Sequence, residues 1–279
     1  MHSLLDFLKF DFLLYALIST ILLSVVCGLI SPLLITRKNA FMGSAISHST
    51  LLGLSIALAL FSSESSFSIF GLTLLITLMC TFFLARSTYR QTIPSDSLIG
   101  IFYTTTMAFG IIIHSLFSKS KGDLLSFLFG NILLLNNEDL VITGLLFLIV
   151  LPIIIIPFSK WIYITFDEEG ALTSGLNTKF YHYIFFVMLA LLIVTSIKVA
   201  GTILIETFLL IPGFFALSIS KNIKNTFILS VVFSLVFAII GLFLANAYSL
   251  PSGATLALTQ FLGLILSLGL KKLYTLIKR

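Results

Sequence analysis

Apolar runs near the length of a membrane span recur along the whole chain. They fall at about 12–34, 40–61, 67–85, 98–117, 138–157, 181–197, 200–218, 225–245 and 253–270. Crossing a hydrocarbon layer as a helix takes roughly 20 apolar residues, so each run reads as one membrane helix. The shorter runs read as tilted, broken or partly covered by protein. The pattern predicts an all-α bundle of eight or nine transmembrane helices, the least defined boundary being the brief SIKVAG break around Lys198. Gly, Pro, Ser and Asn separate the runs, with no long linker, low-complexity stretch or internal repeat. The chain 1–279 therefore reads as a single transmembrane domain. Its first residues, MHSLLDFLKFDF, hold two Asp residues and no basic cluster, so no cleavable signal peptide is expected.

Composition narrows the class. Of the residues, 58% are hydrophobic and only 10% charged, against about 25% charged in an ordinary soluble domain. The net charge of +5 would suggest nucleic acid in a soluble protein. Here the basic residues sit in short loops between apolar runs and act as topology signals. With nine spans, one side holds Arg37, Lys38, Arg86, Arg90, Lys160, Lys179, Lys221, Lys224, Lys271, Lys272, Lys278 and Arg279; the other holds only Lys9, Lys119, Lys121 and Lys198. The first set is expected in the cytoplasm, with the N-terminus outside and the C-terminus inside. Cys27 and Cys80 lie in apolar runs without metal-knuckle spacing and read as small buried hydrophobes.

Two side chains stand out because lipid makes them expensive. His48 lies halfway along the second run, and a titratable imidazole there is a functional candidate by default. Ser44, one helical turn earlier, shares its face, as do Ser47 and Leu51. Neutral imidazole is the commonest metal ligand that a protein offers, although a hydrogen-bonded packing role is the more frequent fate of a lone histidine. Glu206 is the one carboxylate well inside an apolar run, and a charged acid there costs roughly 2.5–3.5 kcal/mol. It needs a partner, a proton or a water-filled path. Pro212 follows it and, with Gly213, permits a kink; Pro32 and Pro251 are further candidate kinks. His2, His114 and His182 fall near span ends, where the interface can solvate them. Asp96, Asp123, Glu138 and Asp139 read as surface residues of loops. The longest cytoplasmic loop, about 158–180, holds the acidic run Asp167-Glu168-Glu169. Acids favour a helix N-terminus, and Gly175 is placed to end a short helix there. The P-loop, dinucleotide-binding, zincin and nucleophile-elbow motifs are all absent from the sequence, so no enzyme active site is expected.

Five motifs in order resemble those of the ABC-3 family, the membrane permeases of bacterial ABC importers for zinc, manganese and iron(II). The first is Cys27-Gly28-Leu29 with Pro32, Arg37, Gly43, His48 and Gly53. Then come Asp123–Asn131 (DLLSFLFGN), Phe166-Asp167-Glu168-Glu169 with Ala171 and Gly175, Ser196–Val199 with Gly201 and Leu210-Ile211-Pro212, and Leu250–Ala254 (LPSGA). The resemblance implies a permease of the bacterial cytoplasmic membrane that moves a divalent metal ion inward by ATP-driven alternating access. No cofactor would be held permanently; the ion is cargo, and ATP is bound by a partner.

The implied partners are an ABC ATPase subunit, an extracytoplasmic metal-binding protein, a second permease copy forming a homodimer, and the lipid bilayer, with no nucleic acid. Phe166, Asp167, Glu168, Glu169 and Gly175 would belong to a coupling segment. One departure is informative: the family places Asp one turn before the histidine, and here that position is Ser44. A hydroxyl is a far weaker cation ligand than a carboxylate, so only His48 maps directly. Glu206 is the candidate replacement. Two rival readings stay open at this point: a secondary transporter using Glu206 as a proton or ion relay, and an ABC permease for a metal chelate.

Overall fold

The structure is a computed structural model that describes residues 10–61, 66–89, 95–117, 130, 132, 135 and 137–277. Every regular element among these is helical. Helices α1 (Asp11–Thr36) and α2 (Met42–Leu60) form a hairpin across the Arg37–Lys38 turn, followed by α3 (Ser66–Thr88), α4 (Ser95–Phe117) and α5 (Asn137–Ile155). Two short helices, α6 (Phe158–Phe166) and α7 (Glu168–Thr173), lead into α8 (Thr178–Ile219), α9 (Ile223–Tyr248) and α10 (Ser252–Ile277). Among the described residues eight helical stretches are long and apolar enough to cross a membrane, or nine if α5 and α6 form one bent span. Most of the outer-loop motif Asp123–Asn131 lies outside the described residues, as do His2, Lys9, Arg90, Lys119, Lys121, Lys278 and Arg279.

The SIKVAG boundary has a physical answer. Helix α8 contains two spans, Thr178–Ile197 and Val199–Ile219. Between them the backbone leaves helical geometry at Gly201, with φ 74° and ψ 165°. Glycine tolerates that φ without a Cβ clash, so two apolar spans join without a loop.

Burial sorts the helices. About 61% of the membrane window of α2 is covered inside the bundle, against 22% for α3 and for α4. The reason lies in sequence: α2 carries Ser47, His48, Ser49, Thr50 and Ser55, all buried, and polar side chains in a span face protein rather than lipid. The Ser49 and Thr50 hydroxyls donate back to the Ile46 carbonyl, and Ser55 to Leu51. Those groups are thus satisfied within their own helix. Helix α2 packs on α3, α4 and α8, while α1 packs on α8 and α9. Helix α8 therefore touches both arms of the first hairpin.

The prolines act differently from one another. Pro32 lies inside α1 and Pro212 inside α8, yet the non-helical residue of α8 is Gly201, not Pro212. Pro251 precedes α10 and its carbonyl accepts from the Thr255 amide. The sharp bend falls elsewhere, at 62° between α5 and α6. Pro157 sits in that bend and has no N–H to offer the Ile153 carbonyl. The indole Nε1 of Trp161 donates to that carbonyl instead, at 3.0 Å.

Pro212-Gly213 marks a close crossing. The Gly213 amide donates to Ser31 Oγ at 2.8 Å. A Cβ on Gly213 would come within 2.5–2.7 Å of Ser31 and the Pro32 nitrogen. Small residues that let backbones approach are the usual means of helix association in lipid. Gly213→Ala is expected to destabilise the protein by about 1–3 kcal/mol through overpacking. Gly144→Ala, where nothing lies within 4 Å, is expected to change stability by less than about 0.5 kcal/mol. Unfolding in mixed detergent micelles compares the two directly.

Candidate functional site

The three intramembrane candidates converge. Helical spacing puts Ser44 and His48 on one face of α2, and α8 brings Glu206 against that face. His48 Nε2 lies 3.9 Å from Glu206 Oε1, and Ser44 lies beside the Glu206 carboxylate. The two ligand-type groups differ in access: the Glu206 side chain is 27% exposed and that of His48 only 8%. The carboxylate thus faces the more open side and the imidazole lies behind it. The other ring nitrogen, Nδ1, is buried without a hydrogen-bond partner.

The spacing has a chemical meaning. Two neighbouring ligand atoms, each about 2.1 Å from one ion, lie about 3.4 Å apart in a tetrahedral shell and about 3.0 Å apart in an octahedral one. At 3.9 Å, His48 and Glu206 are about 0.5–0.9 Å too far apart for either geometry and too far for a direct hydrogen bond. The pair is a nearly closed gap between an imidazole nitrogen and a carboxylate oxygen. Among the described residues no three His, Cys, Asp or Glu side chains gather where they could hold a metal ion. A cation at this pair would complete its shell with water or hydroxyl oxygen.

Sequence reasoning missed Tyr103. Its ring, on α4, meets the His48 imidazole edge to face with centroids 4.5 Å apart. Such contacts fix ring orientation. Nothing in the sequence distinguishes Tyr103 from other span aromatics, because the contact depends on how α4 packs on α2.

Other expectations need correction. His114 is buried at 6% exposure rather than solvated at a span end. Asp139 is buried at 5% within α5, not on a surface loop, because the helix already includes this polar start of the apolar run. Asp96 opens α4 and is exposed, as expected of a surface acid. His182 is half-buried; its Nε2 lies 2.9 Å from the Ala85 carbonyl. Cys27 is buried, Cys80 partly so, and both are free thiols.

The acidic run does form the short helix α7. Asp167 caps it, its Oδ1 accepting from the Gly170 amide at 2.8 Å, while Glu168 and Glu169 occupy the first turn. The helix stops through two reversing bonds: Gly175 N–H donates to Leu172 O and Leu176 N–H to Ala171 O. Gly175 takes φ +86° there, the left-handed turn that glycine allows at a helix end. Phe166, at the end of α6, is exposed at 62%. Arg37 lines one cavity with Glu168 of this segment. Burial pulls its guanidinium down to about 10, and the charge of Glu168 draws it back up. It therefore stays charged at neutral pH.

Asp167→Ala is expected to remove about 1 kcal/mol of local helix stability. Hydrogen exchange at the Gly170 and Ala171 amides should then accelerate by about fivefold, while exchange in α2 stays unchanged.

Comparison with known proteins agrees with this architecture. The profile of the ABC 3 transport family matches residues 9–271. The manganese import system permease protein ScaB of Streptococcus gordonii is 34% identical over 260 residues, covering 92% of this chain and 91% of the relative. The manganese transport system membrane protein MntC of Listeria monocytogenes is 32% identical over 251 residues, covering 90% and 88%. Among solved structures, PsaBC from Streptococcus pneumoniae in complex with Fab superposes with TM-score 0.81 at 32% identity, over 94% of this chain and 93% of that one. A metal-chelate type ABC transporter in an inward-facing conformation shares the fold alone, with TM-score 0.68 and 17% identity over 88% of this chain and 82% of that one. An all-helical, multi-pass membrane chain with this match along nearly its whole length belongs to the ABC 3 transport family.

Proposed function

We propose that this chain is the membrane permease of a bacterial importer for a divalent metal ion, with Mn2+ the first candidate. One observation carries the reading: His48 and Glu206, two costly side chains of the spans, lie 3.9 Å apart in a chain similar to manganese import permeases. Imidazole and carboxylate together suit Mn2+, Zn2+ and Fe2+, and the carboxylate and water oxygens favour Mn2+. A gap that must close slightly to grip the ion, with few protein ligands, is suited to passage. Conduction needs binding strong enough to admit the ion and weak enough to release it.

In this reading Glu206 supplies the acid that the family places one turn before the histidine, and Ser44 orients it. ATP is hydrolysed on a separate ATPase subunit, which presses on α7 and switches the path between outward and inward access. The Arg37–Lys38 turn and α7 lie on the cytoplasmic side. An extracytoplasmic binding protein delivers the ion, and a second permease copy completes a homodimer in the bacterial cytoplasmic membrane.

Metal uptake with the ATPase and binding protein present tests the site. Glu206→Gln and His48→Ala are each expected to lower Mn2+ uptake at least tenfold at normal protein levels. Ser44→Asp is expected to restore part of the uptake lost in Glu206→Gln. Wild-type uptake by Glu206→Gln contradicts the assignment. Uptake that persists without the ATPase and collapses with an ionophore would identify a secondary transporter instead.

A further inference from the structure

Outside the His48–Glu206 pair, the Arg37 side chain contacts both α6 and α8. It follows the last residue of α1 and belongs to the turn that leads into Ser44 and His48. Its side chain reaches away from that hairpin. Nε donates to Thr165 Oγ1 on α6 at 3.0 Å. The guanidinium carbon lies 5.5 Å from the ring centre of Trp161 on α6 and 4.9 Å from that of Phe185 on α8. Both distances are within the range of cation–π attraction. Thr165 is held in turn, its hydroxyl donating to the Trp161 carbonyl at 2.6 Å. One side chain thus joins the α1–α2 turn, the bent α6 and the first span of α8.

Two features show that the joint has room for a second arrangement. The Arg37 Nη2 atom is buried with no hydrogen-bond partner, a costly state for a charged group. Glu168, in the first turn of α7, attracts the guanidinium yet forms no ion pair with it. Between them lies a cavity of about 300 Å3, lined by Arg37, Lys38, Thr165, Glu168, Thr178 and His182. A shift of α7 toward Arg37 would fill part of this space and give Nη2 the carboxylate it lacks.

We propose that Arg37 is the positioning residue that transmits movement of α7 to the α1–α2 hairpin, and so sets the His48–Glu206 gap. The proposal rests on the function proposed above. In one state Arg37 is stacked on Trp161 and Phe185 and bonded to Thr165. In the other it pairs with Glu168, and the turn ahead of Ser44 moves with it. Lysine cannot substitute fully, because the flat guanidinium both stacks and donates from Nε in a fixed direction.

The test uses the full complex of permease, ATPase and binding protein in proteoliposomes. Mn2+ uptake and ATP hydrolysis are read in the same vesicles, and hydrogen exchange of Met42–Thr50 is read with and without ATP. Arg37→Ala is expected to lower Mn2+ moved per ATP at least tenfold. The KM for Mn2+ should stay within threefold, and the ATP-dependent change in exchange should vanish. Arg37→Lys should fall between wild type and Arg37→Ala, and Glu168→Gln should shift the ratio in the same direction as Arg37→Ala. Uptake and hydrolysis falling in step, or an intact exchange response in Arg37→Ala, would overturn the proposal. Should Arg37→Ala fail to fold, Thr165→Val removes only the acceptor. It is expected to lower the ratio severalfold, and an unchanged ratio in that variant overturns the proposal equally. If the wild-type complex moves no Mn2+, the metal assignment fails, while the exchange response, which needs no metal, still judges Arg37.

Discussion

A carboxylate inside an apolar bundle constrains everything packed around it. Glu206 lies in a span where a lone charged acid costs roughly 2.5–3.5 kcal/mol, so the bundle must provide partners. It does so through one neighbour, α2, whose Ser44 hydroxyl and His48 imidazole both face the acid. That requirement explains why α2 is among the least apolar spans and also the most covered. It also explains why α8 must run beside the first hairpin. The Gly213 crossing onto Ser31 and Pro32 draws α8 against α1, and packing of α8 on α2 sets the acid facing the histidine.

The other end of the hairpin shows the same economy of polar contacts. Arg37 is held by two aromatic faces and one hydroxyl rather than by an ion pair. The Trp161 indole that stacks on it also satisfies the carbonyl left open by Pro157. The bend between α5 and α6, the Arg37 contact and the approach of α7 therefore form one connected unit. On the proposed reading this unit joins the ATPase-facing helix to the path of the ion, with α1–α2 as the shared element.

Much of this was legible in the sequence, for identifiable reasons. Apolar runs locate membrane helices because lipid imposes the length, and all nine runs correspond to helices or their bent pair. His48 and Glu206 were legible because their cost is high wherever the chain places them. Ser44 was legible as a neighbour of His48 on one helix face and as a missing acid; its place beside Glu206 depends on the packing of α8. Tyr103 was illegible for the same reason. The break in α8 was legible as the brief SIKVAG boundary, which ends on Gly201, the residue that leaves helical geometry; Pro212, a candidate kink, stays inside the helix. Asp139 and His114 were misplaced because both lie within helices, α5 and α4, and tertiary packing buries them there.

The central claim is that a divalent cation passes between His48 and Glu206. Pulsed electron paramagnetic resonance on Mn2+ bound to the purified permease in nanodiscs reads the ligand shell most directly. The account predicts coupling to one imidazole nitrogen, lost in His48→Ala, and more bound water in Glu206→Gln. Bound Mn2+ with no nitrogen coupling, or coupling that survives His48→Ala, would contradict it.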